Sequence, residues 1–159
     1  MKSIKTVIIC VVLFLAERVL FANFSLFSVT PWLMLAFLFD LSVMSEEADY
    51  LPLYAALCGF LTDVASGGNM GVNTAVFPVM CLLLNRITSV FLKNGFLMGM
   101  TISFVAYIIA DVFCIMLNGI GLSGAFIHLI LPQAIINTAF SALLYLPVKK
   151  LYFPRRVLV

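Results

Sequence analysis

The sequence predicts an all-α integral membrane protein, a bundle of six transmembrane helices with both termini on the cytoplasmic side. Three observations carry this reading. Hydrophobic residues make up 64% of the 159 residues and charged residues only 10%, against roughly 45–50% and about 25% in a soluble domain. The mean hydropathy is +1.20, more apolar surface than a water-soluble globule of this size could bury, which excludes a soluble enzyme. Lys and Arg also cluster on one side of the apolar runs. Disorder needs low hydrophobicity and high net charge, so it is excluded as well. A net charge of +2 offers too little basic surface for nucleic acid. The apolar runs at 79–84 and 102–110 are continuous, whereas barrel strands alternate.

The length bounds the helix count. Six spans of ~20 residues use about 120, which leaves loops and tails but no room for a soluble domain. The whole chain, 1–159, is therefore one domain. The first span covers about 6–24 and follows Lys2 and Lys5, as in a signal peptide. It lacks a small-x-small cleavage site and is interrupted by Glu17-Arg18, so it reads as an uncleaved first helix. The second, 29–45, places Pro31 in its first turn, where a missing N–H costs nothing. It ends before the acidic loop Glu46-Glu47-Ala48-Asp49. The third, 50–66, stops at Gly67-Gly68-Asn69, and the fourth, 73–92, ends at Lys93-Asn94-Gly95. The fifth, 96–117, runs into a glycine-rich turn at 118–124. The sixth, 125–146, carries Pro132 as an expected kink.

Orientation follows the positive charges. With the N-terminus inside, the cytoplasmic segments hold Lys2, Lys5, Lys93, Lys149, Lys150, Arg155 and Arg156, while the outer loops hold no Lys or Arg. Arg86 lies near the cytoplasmic end of its span and can snorkel inward; only Arg18 breaks the pattern. Asn23-Phe24-Ser25 has the form of a glycosylation sequon but abuts the helix end.

Charges inside the spans need a reason, because each costs ~2.5–3.5 kcal/mol at mid-membrane. Glu17 falls about 18 Å into the first helix, past the midplane. Asp63, Asp111 and His128 lie in the outer halves of their helices, and Arg18 joins them. Gln133, Asn137 and Asn73 can extend this slab, whereas Asp40 stands apart, nearer the cytoplasm. Two readings fit Glu17, Arg18, Asp63, Asp111 and His128: an outward-facing polar cavity that binds a ligand, or a closed ion-pair network centred on Arg18.

No catalytic constellation appears. The single His has no ligand partner at i+4, and no nucleophile elbow or phosphate loop is present. No cofactor or metal is implied. Cys10, Cys58, Cys81 and Cys114 fall in apolar runs without metal-type spacing and read as small buried hydrophobes. Gly95, Gly99 and Ser103 recur at i, i+4, with Ala106 and Ala110 beyond, and Ala134, Thr138 and Ala142 do the same on the sixth span. Such faces let another helix approach closely, either within the bundle or from a partner.

The most specific segment is 59–73. Gly59, Asp63 and Gly67 share one helical face. Asp63 can accept from N–H groups at the start of the next helix, and Gly67, Gly68 and Gly71 permit positive φ values. Asn73 is a candidate N-cap. Together they describe a rigid polar corner at the outer face. This segment resembles the rod shape-determining protein MreD family, whose Gly-x-x-x-Asp-x-x-Ser-Gly-x-x-x-Gly pattern is matched by Gly59, Asp63, Ser66, Gly67 and Gly71. Pro31-Trp32-Leu33 is similar to that family's Pro-Asn/Asp-Leu start, with Trp32 as a departure.

The resemblance implies a non-enzymatic scaffold of the cell-elongation (peptidoglycan-synthesis) machinery in the bacterial inner membrane. Its implied partners are MreC directly, with MreB and the RodA–transpeptidase synthase indirectly, alongside membrane lipid and a second copy of the chain in a dimer. The implied fold is that of energy-coupling-factor transporter S components. The alternative function is therefore a small-molecule-binding S component. Those proteins dock their coupling subunit through Ala-x-x-x-Ala on the first helix, a spacing this chain lacks between Val11 and Ala22.

Overall fold

The computed structural model describes residues 2–21, 31–44, 50–67, 70–91, 96–119 and 129–152. Its second helix, α2 (Leu33–Met44), is apolar on every side apart from Asp40 and Ser42. A helix with no polar face has to be surrounded by protein or lipid. Here it is protein: every α2 residue but Val43 is buried. The other five helices are α1 (Lys2–Phe21), α3 (Leu51–Ser66), α4 (Val72–Phe91), α5 (Phe96–Leu117) and α6 (Leu131–Tyr152). Helices α1, α3, α4 and α6 pack on α2, and α5 reaches it where Gly99 meets Val43. Around this axis α1 neighbours α3, α3 neighbours α4, α4 neighbours α5, and α5 neighbours α6. A hydrogen bond between the Thr6 and Tyr152 hydroxyls, 2.8 Å long, joins α1 to α6 and closes the ring.

Side-chain contacts fix the helix directions. At one end of the bundle the start of α1 meets the end of α6 through Thr6 and Tyr152. At that same end Asn85 of α4 donates to the Ser42 carbonyl at 2.9 Å, and Val43 meets Gly99 at the start of α5. The opposite end gathers the last turn of α3 against the first turn of α4. There, too, the residue preceding α2 meets the second turn of α6. The helices therefore run alternately up and down.

The outside of the bundle is as apolar as the inside. Ile4, Ile8, Val12, Leu15 and Val19 are exposed along α1, and Leu53, Leu57, Phe60 and Val64 along α3. Asp40, Ser42, Ser103, Asn137 and Ser141 are buried. This inversion suits lipid as the solvent. Three windows, Val72–Ser89, Leu97–Leu117 and Leu131–Tyr152, are long and apolar enough to cross a membrane. Helices α2 and α3 are shorter apolar helices, and α2, at about 18 Å, is shorter than a ~30 Å hydrocarbon core.

The sixth helix departs from the sequence reading. It is described from Leu131 to Tyr152, not 125–146, and a wide π-type turn at 129–130 leads into it. Pro132 is the second residue of α6, directly after that turn; at a helix start its absent N–H has no intrahelical partner to lose. The helix instead runs through Pro147 and ends with Lys149 and Lys150 in its last turn, where cations meet the negative end of the helix dipole. The first helix is described over Lys2–Phe21, starting before the expected 6; residues 22–24 of the expected span lie outside the described residues. The acidic loop 46–49, Lys93, Asn23, Arg155 and Arg156 lie outside the described residues.

The closest helix pair, α3 and α4, depends on Gly59. A Cβ added there would sit 2.6 Å from the Asn73 carbonyl carbon and 2.8 Å from Thr74 Cα. Both are backbone atoms, so α4 itself would have to move. At Gly99 a Cβ would meet only Val43 Cγ1, at 3.2 Å, and a side chain can yield. Gly59→Ala is expected to destabilise the protein by about 1–3 kcal/mol, and Gly99→Ala by clearly less. Thermal melts in detergent check this: equal melting temperatures for the two variants would remove the close-approach account.

Candidate functional site

Helix α3 ends because Gly67 adopts φ 62°, a left-handed conformation that costs glycine nothing. Gly71 follows with φ 99°, and the chain folds back into α4. The first turn of α4 then presents backbone N–H groups that have no partner within the helix. Asp63, one turn before the end of α3, receives them. Its Oδ2 accepts from the backbone N–H of Gly71 at 3.0 Å and of Thr74 at 3.0 Å, and from the Thr74 hydroxyl at 2.7 Å. Its Oδ1 accepts from the Asn73 backbone N–H at 3.1 Å and from Asn73 Nδ2 at 2.9 Å. Gly59, one turn earlier, lets the two backbones come close enough for this. Asn73 Oδ1 in turn accepts from Cys114 Sγ at 3.4 Å, which ties the corner to α5. Asp63 is only 2% exposed, yet both its oxygens are fully engaged. The carboxylate works as a clasp, and no oxygen is left over for proton transfer.

The same device recurs on α2. The Glu17 carboxylate, from the last turns of α1, is held by the backbone N–H groups of Leu33 and Met34. The N–H of Trp32, just before α2, donates to Asn137 Oδ1 of α6 at 2.8 Å. Negative groups at these positions also meet the positive ends of the α2 and α4 dipoles. At one end of the bundle, then, two helix starts are each clasped by a carboxylate from the preceding helix.

The remaining sequence-predicted residues separate into distinct surroundings. Ser66 donates from its hydroxyl to the Asp63 carbonyl at 3.2 Å, and Gly67 and Gly71 supply the turn. Arg18 lies with its guanidinium carbon 5.8 Å over the Phe14 ring. Its Nε is buried without a hydrogen-bond partner among the described residues. Asp111 lies on α5, one turn before Cys114, and is buried with Oδ2 unpartnered among those residues. His128 and Gly95 lie outside the described residues. Gly99 and Ser103 turn inward and are buried within the bundle, so this chain's own α2 already meets that small-residue face at Gly99. Among the described residues no group of three or more His, Cys, Asp or Glu side chains could hold a metal ion, and the four cysteines are free and buried.

Two contacts have no counterpart in the sequence reading: Asn137 binding the N–H of Trp32, and Ser141 donating to Asp40 Oδ1 across α6 and α2. A signal for them exists. Asn137, Ser141 and Tyr145 recur at i, i+4, i+8 and form a polar stripe on an otherwise apolar helix.

An all-helical bundle with apolar outer faces, polar residues turned inward and carboxylate-clasped helix starts defines a helical membrane protein. The chain belongs to the rod shape-determining protein MreD family, whose family model matches residues 1–154, nearly the whole length. It is the family that the 59–71 segment resembles, and it assigns the protein a role in determining rod shape. No curated protein and no solved structure gave a significant match.

Asp63 can be tested against its neighbours. Asp63→Asn keeps one acceptor oxygen and turns an NH2 group toward donors, at an expected cost of about 1.5–3 kcal/mol. Asp63→Leu leaves the N–H groups of Gly71, Asn73 and Thr74 without that acceptor, at an expected cost of about 3 kcal/mol or more. Expression level and detergent melting temperature should fall in the order wild type, Asn, Leu. A Leu variant as stable as wild type would sink the clasp.

Proposed function

We propose that the protein is a non-enzymatic scaffold subunit of the bacterial cell-elongation machinery, embedded in the inner membrane as six spans with both termini in the cytoplasm, and that it docks MreC. The observation that carries this is the family match over residues 1–154. The geometry supports the topology: Thr6 and Tyr152 bond to each other, so the first and last helices begin and end at one face, as an even number of spans requires. That face carries Lys5, Lys149 and Lys150, in keeping with a cytoplasmic side.

The clasped corner supports the scaffold role. A partner helix needs a surface whose shape does not fluctuate, and Asp63 fixes α3, α4 and, through Asn73 and Cys114, α5 relative to one another. The apolar outer stripes, such as Leu53, Leu57, Phe60 and Val64, are surfaces that lipid or a transmembrane partner helix can cover. MreB and the RodA–transpeptidase synthase would be reached through MreC, and the chain would self-associate as a dimer.

The test is recovery of partners. A C-terminally tagged chain, crosslinked gently in native cells and purified from the membrane, is expected to bring down MreC with wall-synthesis proteins. Recovery of an ATPase pair and a coupling subunit instead would replace the scaffold by a transporter S component. The topology has its own check. Cysteines introduced at Lys5 and Lys149 should both react with a membrane-impermeant maleimide only after the cytoplasmic face is opened, and labelling of either in intact spheroplasts would refute N-in, C-in.

A further inference from the structure

The centre of the bundle contains polar oxygens that the clasps do not use. On α5, Gly99, Ser103, Tyr107 and Asp111 recur at i, i+4, i+8 and i+12 and are all buried. On α6, Asn137 and Ser141 do the same and are likewise buried. Between them stands Asp40 of the central helix α2, with no exposed surface at all. Helices α5 and α6 are neighbours and α6 packs on α2, so these residues form one polar file along the bundle axis.

The file is rich in acceptors and poor in positive charge. Ser141 donates to Asp40 Oδ1. Asp40 Oδ2, Tyr107 Oη, Ser103 Oγ and Asp111 Oδ2 are buried and have no hydrogen-bond partner among the described residues. Tyr107 lies within electrostatic reach of both Asp40 and Asp111 and beside Ser141, and its ring stacks on Phe39 at 4.6 Å, one residue from Asp40. The arginine of the described part of α1 is engaged elsewhere, over Phe14. Burying a carboxylate without a compensating charge is among the most expensive arrangements an apolar medium allows. A buried polar network whose members are only partly satisfied is worse than an apolar core. An oxygen-only set that includes a carboxylate, in a dry setting, suits a hard metal cation.

We propose that the polar file between α2, α5 and α6 binds a hard metal cation, with the Asp40 carboxylate and the Tyr107 and Ser141 hydroxyls as its oxygen donors. The bound cation neutralises the central carboxylate and locks α5 and α6 onto α2, so the rigidity of the inner bundle depends on its occupancy. This inference stands independently of the scaffold role.

The test uses the full-length protein purified in detergent, stripped with a chelator and melted in NaCl, KCl, MgCl2 or CaCl2 against N-methylglucamine chloride at matched ionic strength. A ligand that binds only the folded state raises the melting temperature saturably, by about 5–10 °C at a hundredfold excess over its Kd. We expect that rise with at least one of the four cations, and the identity of that salt names the cation. The rise should be lost in Asp40→Asn and weakened in Tyr107→Phe, which removes a single oxygen and leaves the stacked ring. Melting curves that are the same in all five salts for the wild-type protein would overturn the proposal. So would a full cation response in folded Asp40→Asn or, should that variant not fold, an undiminished response in Tyr107→Phe.

Discussion

An α-helix leaves four backbone N–H groups of its first turn without partners inside the helix. In water that is a minor cost, because solvent takes them. In a bundle whose outer faces are apolar, water is far away, and each unsatisfied group costs several kcal/mol. Helix starts therefore need acceptors supplied by the protein. Asp63 meets three backbone N–H groups of one turn and adds two side-chain donors. Glu17 and Asn137 do the equivalent for α2. Because each acceptor comes from a different helix, satisfying a helix start also docks two helices. Cap and tertiary contact are one interaction, and the placement of α2, α4 and α6 at that end of the bundle follows from it.

This explains why glycine and aspartate occur together in the 59–71 segment. A carboxylate reaches the start of α4 only if α3 and α4 nearly touch, and a Cβ at Gly59 would prevent that. The chain must also reverse within a few residues, which Gly67 and Gly71 permit through positive φ. Remove any one of these and the others lose their purpose, so the residues form a unit rather than a set of separate stabilising contacts. A unit of this kind gives a membrane protein with a role in rod shape one corner of fixed geometry.

Much of this was legible in the sequence because its causes are local. The helical class follows from composition. The corner follows from the i, i+4, i+8 spacing of Gly59, Asp63 and Gly67 and from the nearby glycines. What was not legible depends on which helices become neighbours. Nothing in the segment around Glu17 says that the start of α2 joins Arg18 as its partner, because that is decided by packing. Asp40 looks isolated along the chain, yet it lies against Ser141, 101 positions away. The end of α6 lies beyond the expected 146 for another reason: Pro147 does not stop the helix, which runs through it to Tyr152.

The buried carboxylates thus fall into two kinds, and hydrogen-bond donors tell them apart. Asp63 and Glu17 sit where helix starts supply N–H groups, so backbone donors face them. Asp40 and Asp111 sit beyond the first turns of α2 and α5, where every backbone N–H is already committed to the residue four positions back. A mid-helix carboxylate can be satisfied only by side chains or by something bound. On the facing stripes the side chains are hydroxyls and an amide, and among the described residues the Ser141 hydroxyl is the one seen to donate to Asp40. Docking of helix starts accounts for the first kind of carboxylate. Asp40, of the second kind, keeps an oxygen without a donor among the described residues, where a proton or the proposed cation can meet it.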